Sequence, residues 1–192
     1  MAVILASKSP RRRELLCTMG IEEFEIRPAV GEEIVPENVT PQEMVKAISR
    51  QKARQVRGTA EKEDTVIAAD TLVFANGKPL GKPRDEEDAA SMLRALAGRE
   101  HIVCTGVTVI KGERELSQAV TTRVFFRTMT EKEIADYVKT GEPMDKAGAY
   151  GIQGRASVFV EKIDGDYFNV MGLPVCTLST MLHRLSEEEY HE

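Results

Sequence analysis

The sequence predicts an α/β protein, and three observations carry that expectation. Short apolar runs bounded by turn residues alternate with segments that open on helix-capping signals. Two long strand-like runs, 101–110 and 114–126, are separated only by Lys111-Gly112-Glu113, most simply an antiparallel hairpin. The 192 residues show no repeat or low-complexity tract, so a single domain over 1–192 with one sizeable core is expected.

In chain order, Val3 to Leu5 reads as a short buried strand leading through a tight turn into a helix. Ser9 suits the N-cap and Pro10 the first helical position, which leaves Arg11, Arg12 and Arg13 in the first turn. A helix start carries partial positive charge, so cations there are unfavourable. Either an anion completes the site, with the Ser7 and Ser9 hydroxyls and guanidinium forks forming a phosphate-sized pocket, or the arginines splay into solvent. Gly20 fits the helix stop, and Phe24 to Arg27 a short strand. Glu32 and Glu33 follow in an acidic loop, as candidate metal or catalytic carboxylates or as ordinary solvated charges. Thr40-Pro41-Gln42-Glu43 is a capping box opening a helix to about Arg57, with Met44, Val45 and Ile48 as apolar stripe. Lys46, Arg50, Lys52 and Arg54 form its basic face, from which one or two could reach a cleft.

Asp64 to Phe74 is an apolar strand-like run interrupted by Asp70 and Thr71. A buried Asp is costly in a strand interior, so Asp70 is expected at a strand end or bulge, with a cation or amides around it. It reads as a metal-holding or basic carboxylate, or as a turn Asp bonding its own backbone. Asn76-Gly77 marks a tight hairpin, and Gly81-Lys82-Pro83-Arg84-Asp85 a rigid basic connector in which Pro83 holds Lys82 extended. Asp85 caps a helix whose acids sit in the first turn and whose stop is Gly98. After the hairpin, Thr130-Glu131-Lys132-Glu133 is a second capping box, with a helix ending near Lys139 to Gly141.

Asp145 to Gly154 spaces Gly148, Gly151 and Gly154 three apart around Tyr150 and Gln153. It is neither a Walker loop nor a dinucleotide fingerprint. Such glycines permit close approach to a ligand, and a Gln amide can read a nucleobase edge; equally, they can be steric necessities of an irregular loop. Ser157 to Ile163 and Tyr167 to Met171 read as strands around Asp164-Gly165, and Leu173-Pro174 opens a final helix to about Leu185. Glu187 to Glu192 is an acidic tail expected to fray.

A net charge of -5 disfavours broad nucleic-acid or anionic-membrane binding. Cys17, Cys104 and Cys176 are far apart and lack zinc spacing, so they read as buried thiols in a reducing compartment. None of His101, His183 and His191 has metal-pair spacing. No apolar run approaches membrane-helix length, and no basic leader precedes the first one, so a cytoplasmic protein is expected. An anion pocket, carboxylates at Glu32, Glu33 and Asp70, isolated lysines and a Gly-rich loop together suit phosphate chemistry.

Four ordered motifs, Leu5-Ala6-Ser7-Lys8-Ser9-Pro10-Arg11-Arg12, Ala69-Asp70-Thr71, Gly81 to Asp85 and Asp145 to Gly154, resemble the Maf proteins over nearly the whole chain. The resemblance implies an elongated, inosine-triphosphatase-like mixed β-sheet with flanking helices and two lobes around a cleft. It implies a nucleoside triphosphate pyrophosphatase of the subgroup acting on dTTP and UTP, extending to modified pyrimidine nucleotides, that uses Mg²⁺ or Mn²⁺ and is frequently a homodimer. Asp70 matches the family's proton acceptor, and Arg11, Thr71 and Gln153 match its base-selecting positions. Ser7, Glu33, Lys52 and Lys82 resemble its supporting site. Ser9, Arg12, Lys52 and Lys82 are then expected on phosphate, and Glu33 with Asp70 on the metal. The competing class is a non-catalytic nucleotide or nucleic-acid binding protein acting in cell division.

Overall fold

The structure, a computed structural model, describes residues 2–187. Its seven-stranded sheet comprises β1 (Val3–Leu5), β2 (Glu25–Ile26), β3 (Thr65–Ala75), β4 (Lys78–Leu80), β5 (Glu100–Lys111), β6 (Arg114–Phe126) and β7 (Val160–Asp164). The order is β2-β1-β3-β5-β6-β7, with β4 paired to β3. β1 runs parallel to β2 and β3, whereas β3–β4 and β6–β7 are antiparallel, so the sheet is mixed as expected. The helices are α1 (Pro10–Thr18), α2 (Pro41–Arg57), α3 (Glu86–Leu96), α4 (Glu131–Val138), α5 (Tyr167–Met171) and α6 (Val175–Glu187). Among the described residues no helix is long and apolar enough to cross a membrane.

The capping signals act where the sequence places them. Thr40 and Thr130 each accept from the backbone three residues on, while Glu43 and Glu133 reach back to the cap amide. Asp85 caps α3, and Asn76 and Gly77 both adopt positive φ in the β3–β4 turn.

The chain divides into two compact units. The first takes in the residues up to Asp70, Thr105–Val120 and those from Gly172 onward. Its core includes Ile4 and Ala6, Ala53 and Val56 of α2, Val66 and Ala68 of β3, and Ile110 of β5. Gly106 lets α2 lie against β5, since a Cβ there would stand 2.2 Å from the Val45 carbonyl oxygen. The buried hydroxyls of Ser49 and Thr108, 2.8 Å apart, bond across the same contact. The Arg114 guanidinium donates to the carbonyls of Arg184 and Leu185, satisfying late acceptors of α6. The second unit takes in Thr71–Cys104 and Thr121–Met171. There α3 packs on α4 and on a 3₁₀ turn at Ala147–Ala149, and His101, Phe126, Tyr150, Phe159 and Tyr137 form an aromatic core.

Three local expectations are corrected. Tyr167–Met171 is helical, because Asp166 Oδ1 accepts from the Phe168 and Asn169 amides and nucleates a turn there. Residues 155–159 form a 3₁₀ helix, so the strand begins only at Val160. Of the three thiols only Cys104 is buried, because Cys17 and Cys176 lie on the solvent sides of α1 and α6. α6 includes Glu187; the rest of the acidic tail, 188–192, and His191 with it lie outside the described residues.

Candidate active site

The first unit concentrates the charged residues singled out from the sequence. Asp70 is in the interior of β3 and not at a strand end. The β1 register on this strand ends at Ile67 and the β4 register begins at Val73, so neither short partner reaches it. Its expected cation is Lys52 of α2, whose Nζ donates to Oδ1 at 2.7 Å. The same ammonium meets Glu33 Oε1 at 2.8 Å. Asp70 and Lys52 keep only 11% and 17% of their side-chain surface exposed, so this pair is stronger than a surface ion pair. Asp70 Oδ2 is buried and has no hydrogen-bond partner among the described residues. Buried carboxylate oxygens are rarely left so, and their exceptions gather at functional sites.

Glu33 stands on an irregular loop, and α2 holds that loop as well. Gln55 Oε1 accepts from the Gly31 amide at 3.1 Å, and Gln51 Oε1 from the Ile34 amide at 3.0 Å. Gln51, Lys52 and Gln55 therefore act from one helix on the same short segment. Sequence reasoning missed the two glutamines, although their four-residue spacing beside Lys52 is a legible helix-face signal. Glu32 is exposed, and the structure gives it no share in this cluster.

Ser7 and Arg12 build the other side of the unit's charged centre. Ser7 Oγ is buried and accepts from the Ser9 amide at 3.2 Å and from Arg12 Nη1 at 3.1 Å. Ser9 caps α1, its Oγ accepting a long bond from the Arg12 amide, and Arg12 Nε donates to the Gly172 carbonyl at 2.8 Å. Burial pulls the Arg12 pKa down, Asp70 pushes it up, and Arg11 and Glu33 add smaller effects of opposite sign. The unfavourable cation at a helix start is thus met partly by the chain's own acceptors. Arg12 turns inward, whereas Arg13 is exposed.

Mg²⁺ takes one or two carboxylates together with substrate phosphate oxygens. Asp70 and Glu33, gathered by one ammonium, fit that requirement. No group of three or more metal-binding side chains occurs among the described residues.

Thr71, Lys82 and Gln153 belong to the second unit. Thr71 continues β3, and Lys82 is exposed beside the buried Pro83. The Gly148 amide donates to the Gly81 carbonyl at 3.0 Å, tying the connector that bears Lys82 to the Gly-rich loop. Gly148 has φ +67°, and a Cβ there would stand 2.8 Å from Val73. Ala149 follows at φ 60°, an unusual conformation for a residue with a Cβ. Gly151 faces the Lys146 stem and Gly154 the Glu142 carboxylate. These glycines are therefore steric necessities of the loop's own packing. What the loop offers outward is Gln153, exposed at the tip.

A family profile described as Maf-like protein matches residues 2–185. The dTTP/UTP pyrophosphatase of Carboxydothermus hydrogenoformans is 52% identical over 93% of this chain and 95% of its own length. That of Pelotomaculum thermopropionicum is 48% identical over 95% of both chains. The dTTP/UTP pyrophosphatase of Thermococcus kodakarensis is 50% identical over 90% of this chain and 91% of its own. Among solved structures, a HAM1 protein from Coxiella burnetii superposes over 96% of this chain and 99% of its own, with TM-score 0.54 and 14% identity. That likeness concerns the fold, and it agrees with the expected mixed β-sheet with flanking helices.

Proposed function

The chain belongs to the Maf-like protein family, and on that premise we propose that it hydrolyses dTTP and UTP, and modified pyrimidine triphosphates of the same shape, to the monophosphate and pyrophosphate. The named relatives at 48–52% identity support the substrate class. The observation that supports the chemistry is Asp70 Oδ2, a buried carboxylate oxygen left without a partner while Lys52 holds its twin.

Water attacks the α-phosphorus, the bond to the α–β bridging oxygen breaks, and pyrophosphate departs. Oδ2 accepts the hydrogen bond of that water and takes its proton, acting as general base. Lys52 opposes the repulsion between Asp70 and Glu33, and its third N–H remains for a phosphate oxygen. Arg12 presents a guanidinium already oriented by Ser7 and Gly172, so little reorganisation is needed when phosphate arrives. Ser7 and Ser9 at the start of α1 line the same phosphate position, and Lys82 supplies a further cation. Bound Mg²⁺ or Mn²⁺, held by Glu33 and Asp70, would neutralise phosphate charge. Arg11, Thr71 and Gln153 select the base.

A purely binding role is less well supported, because anion binding gains nothing from two carboxylates without a cation. Pool cleaning in the cytoplasm is the corresponding cellular task, with a homodimer as the assembly the family suggests. Released pyrophosphate, coupled to inorganic pyrophosphatase and phosphate detection, tests the reading across a nucleotide panel. Turnover of dTTP and UTP above CTP and purine triphosphates is expected; no pyrophosphate from any of them would refute it.

A further inference from the structure

We infer that Glu142 is a positioning residue for base selection, its carboxylate setting the turn that presents Gln153. The inference rests on the reading of Gln153 as a base-selecting residue. Residues 151–154 form a tight turn closed by the Gly154 amide on the Gly151 carbonyl at 3.0 Å. Ile152 is buried to anchor it, and Gln153 projects from it.

Glu142 lies against this turn and grips it from one side. Its Oε1 accepts the Tyr137 hydroxyl at 3.0 Å, and its Oε2 accepts the Arg155 amide at 3.0 Å, two residues beyond Gln153. A Cβ on Gly154 would stand 2.1 Å from Oε1, so the backbone comes as near as a side-chain-free residue allows. The Glu142 carbonyl also accepts Lys146 Nζ at 2.6 Å, and the Lys146 stem passes where a Cβ on Gly151 would be. Glu142 thus borders both glycines that flank Ile152 and Gln153.

The far end of the grip is rigid. Tyr137 is buried in α4 and meets the Phe159 ring edge-on at 5.6 Å. Burial first, and Glu142 next, push the Tyr137 pKa up, which keeps the hydroxyl protonated as a donor. A carboxylate is the side chain this position needs, because both partners are donors and both require an acceptor oxygen. Glutamine satisfies one and turns its NH₂ group toward the other. With the turn free to tilt, the Gln153 amide no longer meets a pyrimidine edge in a fixed register, so discrimination falls before turnover does.

The test measures kcat/KM for UTP and CTP in Glu142→Gln, Glu142→Ala, Tyr137→Phe, Gln153→Ala and the Glu142→Gln/Gln153→Ala double variant. The UTP-over-CTP ratio should fall roughly 3- to 30-fold in Glu142→Gln, inside the range of coupling within one hydrogen-bond network. It should fall less in Tyr137→Phe, which keeps the Arg155 contact. In the Gln153→Ala background the Glu142 change should have no further effect on the ratio, which distinguishes positioning from general loss of structure. Should Glu142→Ala not fold, Glu142→Gln and Tyr137→Phe decide. A ratio unaltered by both, while Gln153→Ala alters it, overturns the role of Glu142 and leaves base selection by Gln153 standing. A ratio unaltered by Gln153→Ala overturns that reading and this inference together, whereas an equal Glu142 effect in both backgrounds overturns the inference alone.

Discussion

The charged centre of the first unit and the Gly-rich loop of the second, the two places to which the proposal assigns function, are built on opposite plans. Around Asp70 the side chains sit on regular elements, β3 for the carboxylate and α2 for Lys52, and unlike charges hold each other in place. Around Gln153 the backbone makes successive tight turns, Gly148 and Ala149 both have positive φ, and the neighbours are held by Glu142. The first arrangement leaves one buried oxygen without a partner, and the second leaves one exposed amide. Reaction at phosphorus needs a fixed, partly desolvated charge, whereas choosing a base needs a donor and acceptor pair at a set angle. The division teaches that rate and selectivity should respond to different substitutions.

The largest expected effect lies in the charged centre. Exhaustive chelation should reduce pyrophosphate release to background, with recovery on adding Mg²⁺ or Mn²⁺; full activity without a divalent cation would remove the metal from the site. Asp70→Asn keeps size and removes the proposed proton acceptor, so turnover should fall roughly 10²–10⁴-fold with circular dichroism unchanged. Next in size is Gln153→Ala, which should narrow UTP-over-CTP selectivity. Uracil offers acceptor, donor, acceptor along its pairing edge, and reversing one partner leaves a buried polar group unpaired at about 1–3 kcal/mol, or about tenfold to hundredfold. An unaltered ratio would move base reading to Arg11.

The last expected effect falls on stability in the second unit and leaves turnover and selectivity at neutral pH untouched. His101 is buried against Phe126 and Tyr150, and burial holds its pKa down to about 4. The unfolded chain takes up the proton first as pH falls. This group's contribution is therefore full above its ordinary 6.5, declines as pH drops toward about 4, and is flat below. The decline amounts to about 3 kcal/mol. Denaturant melts of the protein and His101→Gln should differ in slope across that window, and parallel curves would show that His101 does not carry it.

Much of the fold was legible because its signals are local. Ser9-Pro10, the boxes at Thr40 and Thr130, Asp85 and Asn76-Gly77 each specify a boundary through contacts within four residues. Tyr167–Met171 was misread as a strand because aromatic and β-branched composition outweighed Asp166, whose cap is visible only when its side chain is seen to turn back. The expectation that Asp70 would be at a strand end failed because a sequence does not show where short partner strands stop. Its cation was legible in type and became specific only when α2 brought Lys52 to it. Glu142 carried no signal at all, since its partners are a tyrosine hydroxyl and a backbone amide 13 residues away.

The central claim, that the Asp70 centre sets rate and the Gln153 turn sets selectivity, is tested most directly by kcat/KM for UTP and CTP in Asp70→Asn and Gln153→Ala side by side. Asp70→Asn should lower both substrates by a common factor and leave their ratio as in the unaltered protein. Gln153→Ala should alter the ratio. A changed ratio in Asp70→Asn with an unchanged one in Gln153→Ala would contradict the account.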